Sequence, residues 1–153
     1  MRVVIATVGK PRNAHLAAAT ADYLQRLSRW CRTEHLTVRE SGIGGDEGKL
    51  AESNALLKLA PAGFTRICLD EHGALMTSMK IARFLEDGMN HADARFAFLV
   101  GGADGHHSSL VQQCPIRWSL SAATLPHELA LLVLAEQLYR AGTILRGEPY
   151  HRE

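Results

Sequence analysis

The residues best equipped for chemistry gather in the last third of the chain. At its end Tyr150, His151 and Arg152 are consecutive. A phenol can stack on a base, an imidazole can exchange a proton near neutral pH, and a guanidinium can hold a phosphate. A solvated tail is the plainer account of that spacing taken alone. Further upstream, Gly101-Gly102-x-x-Gly105 follows an apolar run that ends at Val100. Glycine allows positive φ and close backbone approach, so a ligand can lie against the main chain there. A tight strand-to-helix turn explains the same glycines, and the pattern is neither G-x-G-x-x-G nor a P-loop. Asp104 in this loop either caps the next helix or accepts a hydrogen bond from a ligand hydroxyl. Between loop and tail lies Trp118-Ser119-Leu120-Ser121-Ala122-Ala123-Thr124-Leu125-Pro126-His127. Small and hydroxyl side chains at a strand end leave backbone groups open to a flat heterocycle. An ordinary helix start accounts for it too, with Thr124 as cap and Pro126 in the first turn.

Two other groups carry less. His106 and His107 are adjacent and lack the i, i+4 spacing or nearby carboxylate pair of a metal site, so they read as exposed loop histidines and no metal is expected. Cys31, Cys68 and Cys114 are odd in number and far apart, without C-x-x-C spacing, so no disulfide framework is implied. Cys68 sits within Arg66-Ile67-Cys68-Leu69 and reads as a buried, inert thiol.

The elements that must position these residues alternate. Val3 to Val8 is a continuous apolar run closed by Gly9 and Pro11, a buried strand. Asn13 caps a helix whose face is Leu16, Ala19, Tyr23, Leu27 and Trp30. His35 to Glu40 predicts a short strand, the glycine-rich stretch 41–48 a loop, and Asp46 to Leu59 a second helix. Thr65 to Leu69 is the next strand, left by a turn at Asp70-Glu71-His72-Gly73. A helix over Ser78 to Met89, a strand over Arg95 to Val100, a short helix over Ser108 to Gln113 and a last strand over Ile116 to Leu120 follow. Pro126 to Ala141 predicts the longest helix. Such alternation implies an α/β fold on a mostly parallel sheet, with ligands bound beyond the C-terminal strand ends. That rule points to the loops after Leu69, Val100 and Leu120.

Composition sets bounds on this reading. The 153 residues are 46% hydrophobic and 22% charged, which argues against disorder and is consistent with one domain over residues 1–153. A net charge of +1 does not announce a nucleic-acid binder, so any basic patch must be local. The N-terminal apolar run is too short for a signal segment or a membrane span, and a cytoplasmic setting is expected.

Four motifs occur in order: Gly101-Gly102-x-x-Gly105, Leu120-Ser121-x-x-Thr124-Leu125-Pro126-His127, Ala135-Glu136-Gln137-Leu138-Tyr139-Arg140-Ala141 and Pro149-Tyr150-His151-Arg152-Glu153. Together they resemble the ribosomal RNA large subunit methyltransferase H family, the 23S rRNA pseudouridine N3-methyltransferases of the SPOUT class. The resemblance spans the whole chain in length and element order, with its specific motifs in Val100 to Glu153. It implies a single-domain α/β knot fold with a C-terminal trefoil knot, an exception to the unknotted-chain rule. It also implies a homodimer that uses S-adenosylmethionine to methylate N3 of a pseudouridine in 23S rRNA of the ribosome. Carried over by position, the cofactor contacts are Leu69, Gly101, Gly102, Leu120, Ser121, Ala122, Ala123, Thr124 and Leu125. His127, Tyr150, His151 and Arg152 are the catalytic candidates: His127 or His151 as proton acceptor, Tyr150 for base stacking, Arg152 for phosphate or base positioning. The tail could serve the partner subunit's site. Two departures from the family pattern stand out: Ala103-Asp104 where Pro-Glu is frequent, and His106-His107 where apolar-polar pairs are common.

Overall fold

A computed structural model describes residues 1–90 and 94–150. The chain alternates strictly: β1 (Arg2–Val8), α1 (Ala14–Leu27), β2 (Arg32–Val38), α2 (Gly45–Leu59), β3 (Thr65–Leu75), α3 (Ser78–Met89), β4 (Arg95–Val100), α4 (Ser108–Gln113), β5 (Ile116–Ser119) and α5 (His127–Leu145). The five strands form one sheet in the order β2-β1-β4-β3-β5, and every pairing is parallel. The α/β expectation therefore holds.

Side chains alternate across a strand, so each buried strand feeds two cores. Val3, Ile5, Ile67, Phe96, Phe98, Val100 and Trp118 point to one face, where Leu27 of α1, Ile81 and Leu85 of α3, and Leu131, Leu134 and Leu138 of α5 meet them. Val4, Ala6, Val8, Cys68, Ala97 and Leu99 point to the other, against Leu56 of α2 and Leu110 of α4. Helices on both faces explain why β1 and β4 read as unbroken apolar runs. All three cysteines are buried and free, with Cys68 fully enclosed.

Several boundaries differ from expectation, each for a physical reason. The second strand runs Arg32–Val38, not His35 to Glu40. It is an edge strand paired only with β1, so polar residues such as Arg32 and Glu34 are tolerated in its first half. The third strand does not end at Leu69. Leu69 and Ala74 both face Trp118 of β5, so residues 70–73 form an excursion after which the pairing resumes. Gly73 permits this, because a Cβ there would lie 2.7–2.8 Å from the backbone of Arg117 and Trp118. The last strand stops at Ser119, and α5 continues to Leu145 instead of ending at Ala141. Asn13 caps α1 as expected, its Oδ1 accepting from the His15 and Leu16 N–H groups at 3.0 and 3.2 Å.

Parallel strands deliver the loops that follow them to one edge of the sheet. The turn after β1, the glycine-rich loop after β2, the excursion within β3, the loop after β4 and the segment before α5 meet there.

Candidate functional site

A cavity of about 740 Å³ opens at this edge. Its walls are the β3 excursion with Leu69, the loop Gly101 to His106, and the segment Trp118 to His127. Leu69, Gly101, Gly102, Leu120, Ser121, Ala123, Thr124 and Leu125 line it, and so does His127; Ala122 does not. Tyr150 is not among the lining residues, and His151 and Arg152 lie outside the described residues.

The glycine loop folds on itself. The Gly105 N–H donates to the Gly102 carbonyl at 3.0 Å, and Gly105 takes φ +75°. A Cβ on Gly101 would sit 2.9–3.1 Å from Gly105 main-chain atoms, so only glycine lets the turn close. The other wall is also held by short bonds: Ser119 Oγ donates to the Ser121 carbonyl at 2.8 Å, and Ser121 Oγ accepts from the Ala123 N–H at 2.9 Å. Thr124 does not cap α5. Its hydroxyl donates to the Glu71 carboxylate at 2.8 Å, joining the two loops across the cavity, while α5 begins at His127 without a side-chain cap.

The floor is electrostatically ordered. Arg117 pairs with Asp70 at 3.0 Å, and the His72 N–H donates to the same carboxylate at 2.8 Å. Burial disfavours that carboxylate's charge, but the His72 N–H and Arg117 outweigh it and hold Asp70 below its usual range.

The two adjacent histidines are not exposed loop residues. His106 Nε2 lies 3.1 Å from the Leu99 carbonyl, an acceptor only, so this nitrogen carries the proton. Its Nδ1 is enclosed and has no hydrogen-bond partner among the described residues. Burial pushes the His106 imidazole below its usual value, in keeping with a neutral ring. His107 is the residue that caps α4: its Nδ1 accepts from the Ser109 N–H at 3.1 Å, and its Nε2 faces Asp46 at 3.2 Å. Asp104 does not cap α4 and makes no hydrogen bond or ion pair among the described residues. Adjacent histidines point in different directions: His106 turns back to Leu99 at the end of β4, and His107 reaches Asp46 on α2.

Tyr150 is an anchor in this chain. Its hydroxyl lies 3.1 Å from both Tyr23 Oη and Glu136 Oε1, its ring packs edge-on against Tyr139, and the Arg140 guanidinium sits 4.8 Å from its centroid. Burial, the Tyr23 hydroxyl and the Glu136 carboxylate push the phenol well above its usual value.

A second, smaller cavity of about 240 Å³ adjoins the first. Gly102, Ala103, Asp104 and His127 line both, and Val8, Arg12, Glu40, Ser41, Gly42, Ile43 and Glu52 complete it. Sequence reasoning missed this one. The signal was present in the Gly9 turn and the glycine-rich loop 41–48, which follow the first two strands. The excursion residues Asp70 and Glu71 were also missed as site residues, although acidic groups directly after a strand end are a readable cue.

The family profile described as "Predicted SPOUT methyltransferase" matches residues 1–151. Over 152 residues, 99% of each chain, the sequence is 41% identical to "Ribosomal RNA large subunit methyltransferase H" of Deinococcus radiodurans. It is 40% identical over 153 residues, all of both chains, to the protein of that description from Polynucleobacter asymbioticus. The chain belongs to the SPOUT methyltransferases, in the ribosomal RNA large subunit methyltransferase H family. Two solved structures are similar to this chain at the level of fold alone. TrmJ from Z. mobilis ZM4 aligns with TM-score 0.55 at 12% identity, covering 99% of this chain and 73% of that one. A probable methylase family protein from Haemophilus influenzae aligns with TM-score 0.54 at 12% identity, covering 95% and 66%. No helix among the described residues is long and apolar enough to cross a membrane.

Proposed function

We propose that this methyltransferase transfers a methyl group from S-adenosylmethionine to N3 of a pseudouridine in 23S rRNA, acting in the cytoplasm on the large ribosomal subunit or the assembled ribosome. The observation that carries the reading is the 740 Å³ cavity bounded by the glycine turn and the Leu120 to Leu125 segment, with His127 at its junction with the second cavity. Its size suits a nucleoside-sized ligand. The residues fit that ligand: Leu69, Leu120 and Leu125 give apolar walls, and Gly101 brings main chain close where a Cβ would collide. The Glu71 carboxylate can accept from ligand hydroxyls.

When bound, the sulfonium supplies an electrophilic methyl group that needs no further activation. The burden on the protein is orientation and removal of the N3 proton. His127 takes that proton on its imidazole, and Asp104, which lines the same two cavities, adds a negative charge that favours the imidazolium. His151 and Arg152 remain candidates for proton transfer and phosphate binding.

A homodimer is part of the same reading. Tyr150 is fixed at Glu136, and about 13 Å of helix separates that residue from His127. A tail anchored there is better placed to serve a partner's cavity than its own. A single domain over residues 1–153 with the family's trefoil knot completes the proposal.

The test is methyl transfer from labelled S-adenosylmethionine to whole ribosomes, separated subunits and naked RNA, with the product located by mass spectrometry. Methylation of N3 of a pseudouridine in the large subunit is expected. Transfer to transfer RNA instead would sink the ribosomal assignment, and no cofactor binding at millimolar concentration would favour a non-enzymatic ribosome-binding protein.

A further inference from the structure

The second cavity shares Gly102, Ala103, Asp104 and His127 with the first. Its floor is the buried Val8, and one wall is the half-exposed Ile43. Around them stand polar groups of both kinds. Arg12 pairs with Glu40 at 2.6 Å on the open surface, Glu52 receives the Ser41 N–H at 2.9 Å, and Asp104 is uncommitted among the described residues. The site is built to be open. Gly42 takes φ +71° with nothing within 4 Å of a Cβ position. Gly9, at φ +74°, leaves the room that Glu40 occupies, since a Cβ there would fall 2.5 Å from its carboxylate.

We propose that this cavity seats the acceptor base, a single pyrimidine nucleoside turned out of the RNA. The inference rests on the methyltransferase reading above. At about 240 Å³ the space suits one flat heterocycle, and its shared wall sets that heterocycle beside the methyl donor. Enzymes that modify a base extrude it into such a pocket and read its hydrogen-bonding edge. An imide edge presents one N–H between two carbonyl oxygens. Asp104 and His127 at the junction can accept from the N–H, and the Arg12 guanidinium can donate to a carbonyl.

Charge at the rim agrees with this occupant. Lys10, Arg12 and Arg39 are exposed in the turns after β1 and β2. Arg12 lines the cavity itself, among Glu40, Glu52 and Asp104, and with Lys10 and Arg39 on the adjoining turns it can meet the phosphates flanking an extruded nucleotide at this edge. Glu128 fixes this edge to the cofactor side. From the first turn of α5 its carboxylate accepts the Arg12 and Asn13 N–H groups, both at 3.0 Å.

The experiment uses the full-length protein with ribosomes as substrate. Two surface variants, Ile43→Trp to fill the cavity and Arg12→Glu to reverse its rim, are assayed for kcat/KM and for S-adenosylmethionine affinity by calorimetry. Both should lose at least tenfold in kcat/KM while cofactor affinity stays within twofold. Wild-type kcat/KM in both variants would overturn the proposal, and so would a parallel loss of cofactor affinity, which would make the space an annex of the cofactor site. A wild-type chain that binds cofactor but methylates no RNA would overturn the underlying function as well, a result distinct from either.

Discussion

The phenolic oxygen of Tyr150 stands 3.1 Å from Oε1 of Glu136, the same oxygen that takes Arg140 at 2.6 Å. One carboxylate thus holds both the tail and the cation that covers its ring. The last described residue of the chain is tied to the middle of α5 and, through Tyr23 Oη, to α1. These contacts hold the Tyr150 phenol against α1 and α5 of its own chain.

Tyr150→Phe keeps the ring contacts with Tyr139 and Arg140 and removes both hydrogen bonds, weakening the anchorage by about 1–2 kcal/mol. Methyl transfer should fall several-fold with cofactor affinity unchanged, and carboxypeptidase should remove the tail faster. Tyr150→Ala should fall further on both counts. Equal activity of the two variants and wild type would remove the tail from the mechanism.

At the cofactor cavity, Gly101→Ala sets a methyl group against the Gly105 backbone, which has no side chain to swing aside. The turn must open, and calorimetry should show at least tenfold weaker S-adenosylmethionine binding. Gly102→Ala is the control. Its new methyl would meet the ends of the Glu52 and Val8 side chains at 3.1–3.3 Å, so a smaller loss is expected.

Much of the fold was legible because periodicity reports burial. The limits of α3, β4 and α4 follow from apolar spacing that the two cores require. What escaped depends on partners remote in sequence. The polar first half of β2 is a strand only because β1 lies beside it, and β3 resumes after residues 70–73 only because Trp118 offers a second pairing. The site divides the same way. Segments around Gly101 and Leu120 to Leu125 were readable as strand-end loops with exposed main chain. No local pattern reveals that His107 reaches Asp46 or that Thr124 bonds Glu71.

Acid should act through the buried histidines. Burial lowers the pKa of His106 and of His35, whose Nε2 lies 3.0 Å from Thr7 Oγ1. Their folded values lie below the unfolded value near 6.5, so the unfolded chain binds more protons in between. Their contribution to stability is complete above that value and is lost as pH falls toward the folded ones. Denaturant midpoints should therefore drop on acidification from pH 7, and His106→Gln, which keeps an N–H donor for Leu99, should flatten the slope. An unchanged slope would mean that His106 titrates normally.

Gly73→Ala tests whether the excursion in β3 shapes the cofactor wall. The added methyl would lie 2.7–2.8 Å from the backbone of Arg117 and Trp118, main chain of β5 that has no side chain to swing aside. A stability loss of about 1–3 kcal/mol is expected from such overpacking. The larger consequence is local. Asp70, Glu71 and Arg117 lie on the two strands being forced apart, so the Asp70–Arg117 pair and the Glu71–Thr124 bridge should both loosen. Cofactor affinity should fall together with stability, whereas Arg117→Lys, which keeps a cation facing Asp70, should cost less of either. If Gly73→Ala lowers the unfolding midpoint but leaves cofactor affinity intact, the excursion supports the sheet alone and the cavity wall stands without it.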